Sequence, residues 1–433
     1  MQALLSFDQA PPFAAPFRFF VTAPLFAILA GILLLWSGPG LMASRWTPSA
    51  LALTHLVTVG FMMQVMLGAM VQILPVVAGA NILKSLQVAR IVHLAITVGA
   101  LLLVLAFLTY DPLTFVMAAA CLGLGVFVFI GTAAHALYSV PSATPTVRGL
   151  KLALLGFGVT VSLGVLLAAS LGLSFSLPVM QLADIHLAWG FLAWGGVLLA
   201  AVANVVVPMF QLTPPYPDWF SRSYSYAALS AVVLWTWVEL ADWSLFSALF
   251  SGVLVVIAAL FLLLTLRIQR KSKRAKFDAT QHYWRVALLS AFAACGLWLA
   301  ARSIPSFSEW QGWPLLFGVL LLGGGFMSVI VGMLYKIVPF LIWLHLQNMG
   351  RGKLVAPNMK KVLSEQQMQR QMRAHFAALA LLLLAVFWPE WFVYPAGLAL
   401  IAANVWLLRN LLSAADVYRQ HRLKIEVLLA RQS

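Results

Sequence analysis

Apolar side chains in this chain gather in long unbroken runs, separated by short segments that carry charge, proline or glycine. The runs cover residues 17–37, 50–77, 88–108, 113–138, 150–173, 182–210, 223–241, 245–268, 283–301, 313–344, 373–388 and 391–413. A helix of ~20 apolar residues crosses the hydrocarbon core of a bilayer, so the pattern predicts an all-α integral membrane protein with about 12 spans. Pro389 and Glu390 divide the last two.

Composition removes the soluble alternatives. Of 433 residues, 63% are hydrophobic and 9% charged, with a mean hydropathy of +0.96, and a water-soluble domain cannot hide that much apolar surface. Secreted, nucleic-acid-binding and large soluble catalytic domains are excluded. Cys121 and Cys295 are the two cysteines, both inside apolar runs, which excludes disulfide scaffolds and thiolate-built zinc or iron–sulfur clusters. The first sixteen residues lack a basic start followed by an apolar core, so the first span is expected to be the targeting anchor.

Charge then sets an orientation. Of the 27 Lys and Arg, 24 lie at the N-terminal edge, in loops after even-numbered spans, or in the C-terminal tail. Arg45 and Arg302 fall in the other loops, and Lys336 lies within a span. The positive-inside rule therefore predicts a multi-pass protein of a bacterial-type inner membrane with both termini in the cytoplasm. The basic segments 267–285 and 351–373 read as topology signals that touch lipid headgroups, and no protein partner is implied.

A repeat organises the spans. MQVMLGAMVQILP at 63–75 aligns without a gap with MSVIVGMLYKIVP at 327–339, in the second and tenth spans. The sixth span is a looser copy, with Gly190-Phe191 matching Gly60-Phe61 and Gly325-Phe326, and with Asn204 four residues before Pro208. Pro75, Pro208 and Pro339 are 133 and 131 residues apart. One polytopic domain is expected, in three pseudo-repeats of four helices at about 17–138, 150–268 and 283–413, with matched faces around interior cavities.

The candidate chemistry follows from that frame. His55 and His186 enter the second and sixth spans at matched positions, four or five residues before the Gly-Phe pair. Imidazole in hydrocarbon needs a partner, so each is a candidate cofactor or metal ligand, the plainer reading being a bond to a backbone carbonyl or to Asp184. His93, His135, His282, His345 and His375 sit toward the opposite helix ends and His421 in the tail, where interface roles are expected. Met62, Met66 and Met70 form a thioether stripe beside Met63, suited to copper(I) or to adaptable packing. Gln72 and Lys336 share a repeat position three residues before the proline; with Asn204 they are candidates to line an intramembrane polar cavity. Lys336 either snorkels to the interface or serves that cavity as a proton entry. No Asp or Glu falls mid-span, which weighs against a pump driven by a buried carboxylate.

Twelve spans, a threefold repeat of four, cytoplasmic termini and His55 in the second span together resemble the catalytic subunit of the haem-copper oxidase superfamily. The opening is more specific: Pro16-Phe17-Arg18-Phe19-Phe20, Leu35-Trp36, then His55, Gly60-Phe61, Gly68 and Leu74-Pro75 are similar to the start of the NnrS family. These motifs cover about the first eighty residues. The resemblance implies a membrane protein that binds haem, copper or both, with His55 and His186 as ligands, and that handles nitric oxide or nitrosative stress through a small diatomic ligand. The chain departs from both patterns. Val319 stands on the tenth span where the oxidases carry the histidine partner, the seventh span has no histidine, and Leu53 stands where NnrS proteins commonly have a second one. An intact oxygen- or NO-reducing centre is therefore not expected, nor a bis-histidine haem between the second and tenth spans. Two other classes remain: a cofactor-free transporter, and an accessory subunit that kept the oxidase scaffold.

Overall fold

The computed structural model describes residues 9–141, 144–350 and 356–430. Arg351 and Lys353 of the basic segment 351–373, and Arg431 of the tail, lie outside them. The described chain is all helical, with twelve long helices: α1 (Ala14–Ser37), α2 (Pro48–Ala78), α3 (Ser85–Thr109), α4 (Pro112–Tyr138), α5 (Pro145–Leu173), α6 (Val179–Gln211), α7 (Asp218–Leu240), α8 (Ser244–Gln269), α9 (Ala279–Ser303), α10 (Trp313–Met349), α11 (Glu365–Phe387) and α12 (Pro389–Ala430). Eleven are long and apolar enough to cross a membrane. The exception is α7, whose 23 residues include Asp218, Arg222 and Glu239. The expectation of 12 spans thus becomes eleven apolar spans plus one more polar helix of similar length.

Helix starts follow local chemistry. Thr47, Asp111 and Thr144 each accept a hydrogen bond from a backbone N–H three residues on, just ahead of Pro48, Pro112 and Pro145 at the first helical position. Ser364 and Gln367 form a capping box that opens α11. The C-terminal helix α12 has 42 residues, roughly 63 Å at 1.5 Å per residue, about twice the ~30 Å hydrocarbon thickness.

The described residues fall into two compact units, whose limits cut through α3, α9 and α10 and do not follow the repeat limits of the sequence. The first unit lies within Met1–His93, Phe277–Ala287 and Leu322–Ser433. In it α1 packs against α2 and α12, and α11 against α12. Gly31 and Gly397 allow the close approach of α1 to α12: a Cβ on Gly31 would sit 2.8 Å from the Gly397 carbonyl oxygen. The second unit comprises Leu94–Lys276 and Leu288–Leu321, with α4 on α5, α5 on α6 and α7 on α8. Its core is aromatic at the level of Phe157 and Trp194, which stack with ring centroids 4.4 Å apart.

Three helices share an irregularity. α2, α6 and α10 each contain a π-helical segment, Leu56–Met63, Trp189–Gly196 and Val319–Met327. Each segment ends twelve residues before an internal proline (63 to 75, 196 to 208, 327 to 339). Seven residues before the same prolines stand Gly68, Ala201 and Gly332. All three stand at close crossings with another helix, α1, α5 and α9 respectively. A Cβ on Gly68 would meet Phe19, Phe20 and the Pro16 carbonyl of α1; a Cβ on Gly149 of α5 would meet the Ala201 methyl at 2.5 Å; a Cβ on Gly332 would meet the Tyr283 Cβ of α9 at 2.7 Å. Small side chains at this level are what close helix crossings require.

Candidate functional site

His55 is the last residue before the π segment of α2. Its Nδ1 lies 2.7 Å from the Leu51 carbonyl oxygen, one turn back on the same helix. A carbonyl only accepts, so Nδ1 carries the proton and the lone pair is on Nε2, the arrangement found in metal-ligating imidazoles. His186 makes the same kind of bond to a different helix, with Nδ1 2.9 Å from the Thr160 carbonyl oxygen of α5. Gly164 of α5 makes room for the ring, since a Cβ there would lie 3.0 Å from Cε1.

The two histidines are not register-matched. His55 directly precedes its π segment, whereas His186 stands three residues before its own. A shift of two residues is 200° around an α-helix, which is why one imidazole returns to its own backbone and the other reaches α5. They also belong to different units.

Met62, Met63, Met66 and Met70 are all buried. Their thioethers serve the interior packing of α2, consistent with the adaptable-core reading.

The polar candidates separate. Lys336 reaches to the end of a neighbouring helix: its Nζ lies 2.7 Å from Oδ2 of Asp278, with the two side chains 17% and 12% exposed. The other carboxylate oxygen, Oδ1, accepts from the Thr280 hydroxyl at 2.6 Å and the Gln281 N–H at 3.0 Å. Asp278 immediately precedes α9, so its pKa bears on the membrane boundary. Burial pushes the carboxyl up, but the Lys336 ammonium and the bonds from Lys336, Thr280 and Gln281 outweigh it, and the net shift is below the ordinary 3.8. Gln72 is 5% exposed, and neither its amide oxygen nor its nitrogen has a hydrogen-bond partner. It shares the face of Gly68, the one that packs on α1. Asn204 accepts a hydrogen bond from Ser221 of α7 at 3.0 Å, a tie between two helices.

His375 was expected at a helix end and instead lies buried eleven residues into α11. Its Nε2 is 2.9 Å from the Ser328 hydroxyl, which in turn donates to the Gly323 carbonyl within the π segment of α10. With the single hydroxyl proton so used, the imidazole is the donor to Ser328. Around it Tyr283 donates to Gln371, Gln371 to the Ala403 carbonyl at 3.1 Å, and Asn410 to the Tyr335 hydroxyl at 2.9 Å. Sequence reasoning missed this cluster. The available signal was helical spacing: Met368, Gln371, His375, Ala378 and Leu379 form one buried stripe, so two polar residues were riding on a core face.

No group of three or more His, Cys, Asp or Glu side chains among the described residues is placed to hold a metal ion. A haem needs only one or two axial donors, so this does not bear on haem. No family model matches the chain, and no curated protein matches its sequence.

Proposed function

We propose that this chain is a membrane protein of the NnrS type, built on the helix plan of the haem-copper oxidase catalytic subunit, in which His55 is the axial ligand of a haem that handles nitric oxide or a related diatomic. The observation that carries the reading is the place of His55: directly before a π segment that recurs in α6 and α10 at a fixed distance from a proline. π segments are frequent at functional sites. The recurrence, with Gly68, Ala201 and Gly332 each against the first helix of its repeat, supports three repeats of four helices.

The residues fit a haem. The Leu51 carbonyl fixes the tautomer of His55 that presents Nε2, and the Thr160 carbonyl does the same for His186, which would serve the neighbouring repeat cavity. On α10 the residue twenty before the proline, as His55 is on α2, is Val319, so no second imidazole comes from there. A haem iron with an open position supplies diatomic binding when bound. Copper through Met66 and its neighbours would draw on thioethers that already pack the core. The partition of the basic residues supports both termini in the cytoplasm of a bacterial-type inner membrane.

A second reading, a cofactor-free transporter or accessory subunit, draws on the Asp278–Lys336 pair and the Tyr283, Gln371, Tyr335 and Asn410 contacts, whose polar groups satisfy one another without a cofactor. The test is the optical spectrum and metal content of protein purified from haem-replete cells. A haem band is expected in the wild type, lost in His55→Ala and unchanged in His93→Ala, whose ring bonds the Thr22 hydroxyl. Wild-type protein without haem, or full metal content in a His55→Ala, His186→Ala double variant, would move the assignment to the second reading.

A further inference from the structure

In the first unit, the segment that leads into α1 crosses the end of α10. His345 stands four residues before α10 ends at Met349, and each of its ring nitrogens lies on a carbonyl oxygen. Nδ1 is 2.9 Å from that of Leu341 and Nε2 is 2.9 Å from that of Pro11. A carbonyl oxygen only accepts, and a neutral imidazole has one N–H. Its other nitrogen would aim a lone pair at an oxygen lone pair. The imidazolium, with two N–H groups, satisfies both contacts, and the end of a helix, where carbonyls gather negative potential, favours a cation.

Pro11 and Pro12 stiffen the backbone just ahead of α1, so a hold on Pro11 is a hold on the start of the helix. Phe13 extends the contact. Its ring meets the His345 ring edge-on at 5.8 Å and stacks on Tyr418 of α12 at 4.4 Å and on Phe17 of α1 at 4.7 Å. Residues 9–13 and 341–349 carry no other ionisable side chain. On α1, Arg18 donates to the Ala14 carbonyl at 3.0 Å. On α12, Arg422 pairs with Glu426 at 2.8 Å and Arg419 with Asp416 at 3.8 Å, His421 bonds the Val417 carbonyl, and Lys424 is exposed. Both carboxylates on that stretch already have an arginine, so carbonyl oxygens hold the His345 charge.

We propose that His345 is a pH-operated clasp. As imidazolium it fastens the segment before α1 to the end of α10, and through Phe13 to α12. When the proton leaves for water, the remaining N–H stays on the Leu341 carbonyl of its own helix, which needs no movement of the chain. Nε2 then turns a lone pair on the Pro11 oxygen, and the segment is released.

The experiment is hydrogen exchange of the full-length protein in detergent at about pH 5.5 and about pH 9, a range over which histidine loses its charge. It is read by mass spectrometry on a peptide spanning residues 9–20 and normalised to an unstructured peptide of the same sequence. A hydrogen bond from a charged donor corresponds to about tenfold in an opening equilibrium, so normalised exchange should be about tenfold faster at the higher pH. His345→Leu, with no ring donor, should exchange fast at both. His345→Lys, which keeps a charge and three donors, should stay protected at both. Circular dichroism and elution volume report folding; if His345→Lys does not fold, the wild type and His345→Leu decide. Equal normalised exchange at the two pH values in the wild type, or a tenfold rise that persists in His345→Leu, would overturn the proposal.

Discussion

α10 and α6 present the same frame with different contents. Both carry a π segment that ends twelve residues before a proline, and both place a small residue, Gly332 or Ala201, against a neighbouring helix, α9 or α5. Three and four residues before the proline they diverge. α10 has Lys336 and Tyr335, tied to Asp278 and Asn410, while α6 has Val205 and Asn204, with Asn204 bonded to Ser221. The backbone irregularity and the small residue set the crossing, and the side chains below them set how strongly the crossing is held. Buried charge binds α10 to the start of α9. Aromatic stacking of Trp194 on Phe157 and neutral hydrogen bonds, among them those of Asn204 with Ser221, His186 with the Thr160 carbonyl and Trp189 with Thr236, bind α6 to its neighbours.

The shared frame is where the largest effects are expected. Gly332→Leu places a Cβ 2.7 Å from that of Tyr283, and Gly149→Leu one 2.5 Å from the Ala201 methyl. Neither neighbour is the far end of a flexible side chain, so the helices must part. Each variant should lose about 3 kcal/mol or more, seen as a large fall in thermal midpoint in detergent or as failure to accumulate. If Gly332→Leu is damaging and Gly149→Leu is tolerated, the common frame does not extend to α6.

Next comes the charge that sets α10 apart. Lys336→Met leaves Asp278 buried without its cation and should cost about 3 kcal/mol, and adding Asp278→Asn should restore much of the loss, since the penalty lies in the orphaned charge. The pair also predicts a pH dependence. The Asp278 carboxyl is depressed below 3.8 in the folded protein, so its contribution is full above that value and is lost as pH falls through the folded pKa. Wild-type protein should therefore show an acid-sensitive component below about pH 4 that the double variant lacks. Parallel acid unfolding curves for the two would show that the ion pair does not stabilise α10.

The buried polar cluster comes third. His375→Phe leaves the Ser328 hydroxyl without its imidazole donor and should cost about 1–2 kcal/mol in thermal unfolding. Ser328 keeps the Gly323 carbonyl as acceptor, which limits the loss.

These effects also mark what the sequence made legible. Helix number and limits were readable because each span repeats one signal, apolar density, over some twenty residues; only α7 diluted it with Asp218, Arg222 and Glu239. The α2–α10 alignment contained Gly68 and Gly332, and both stand at close contacts, against Phe19 and Phe20 and against Tyr283, which demand a small residue. Partners were not legible. Asp278 lies 58 residues from Lys336, and Gln371 is 88 from Tyr283, distances that no helical period spans. The Gly-Phe pairs misled as well: Gly60 stands fifteen residues before its proline and Gly190 eighteen, so counting from them brought His55 and His186 together although their distances to the prolines, twenty and twenty-two, put them two residues apart.

The smallest effect tests the other side of the comparison. Asn204 on α6 accepts from Ser221 of α7 in a part-buried setting, and such interhelical bonds average about 0.6 kcal/mol, because in the separated state each partner finds other acceptors. Asn204→Leu removes the amide but keeps a side chain of similar bulk, so packing against α7 is largely retained. The expected loss is about 0.6 kcal/mol or less, a shift of the thermal midpoint near the limit of measurement, with the acid profile unchanged because neither partner titrates. A loss as large as that of Lys336→Met would mean that Asn204 holds more than Ser221, and that α6, like α10, depends on a buried polar contact below its π segment. A negligible loss would leave the charge pair as the feature that separates the two helices.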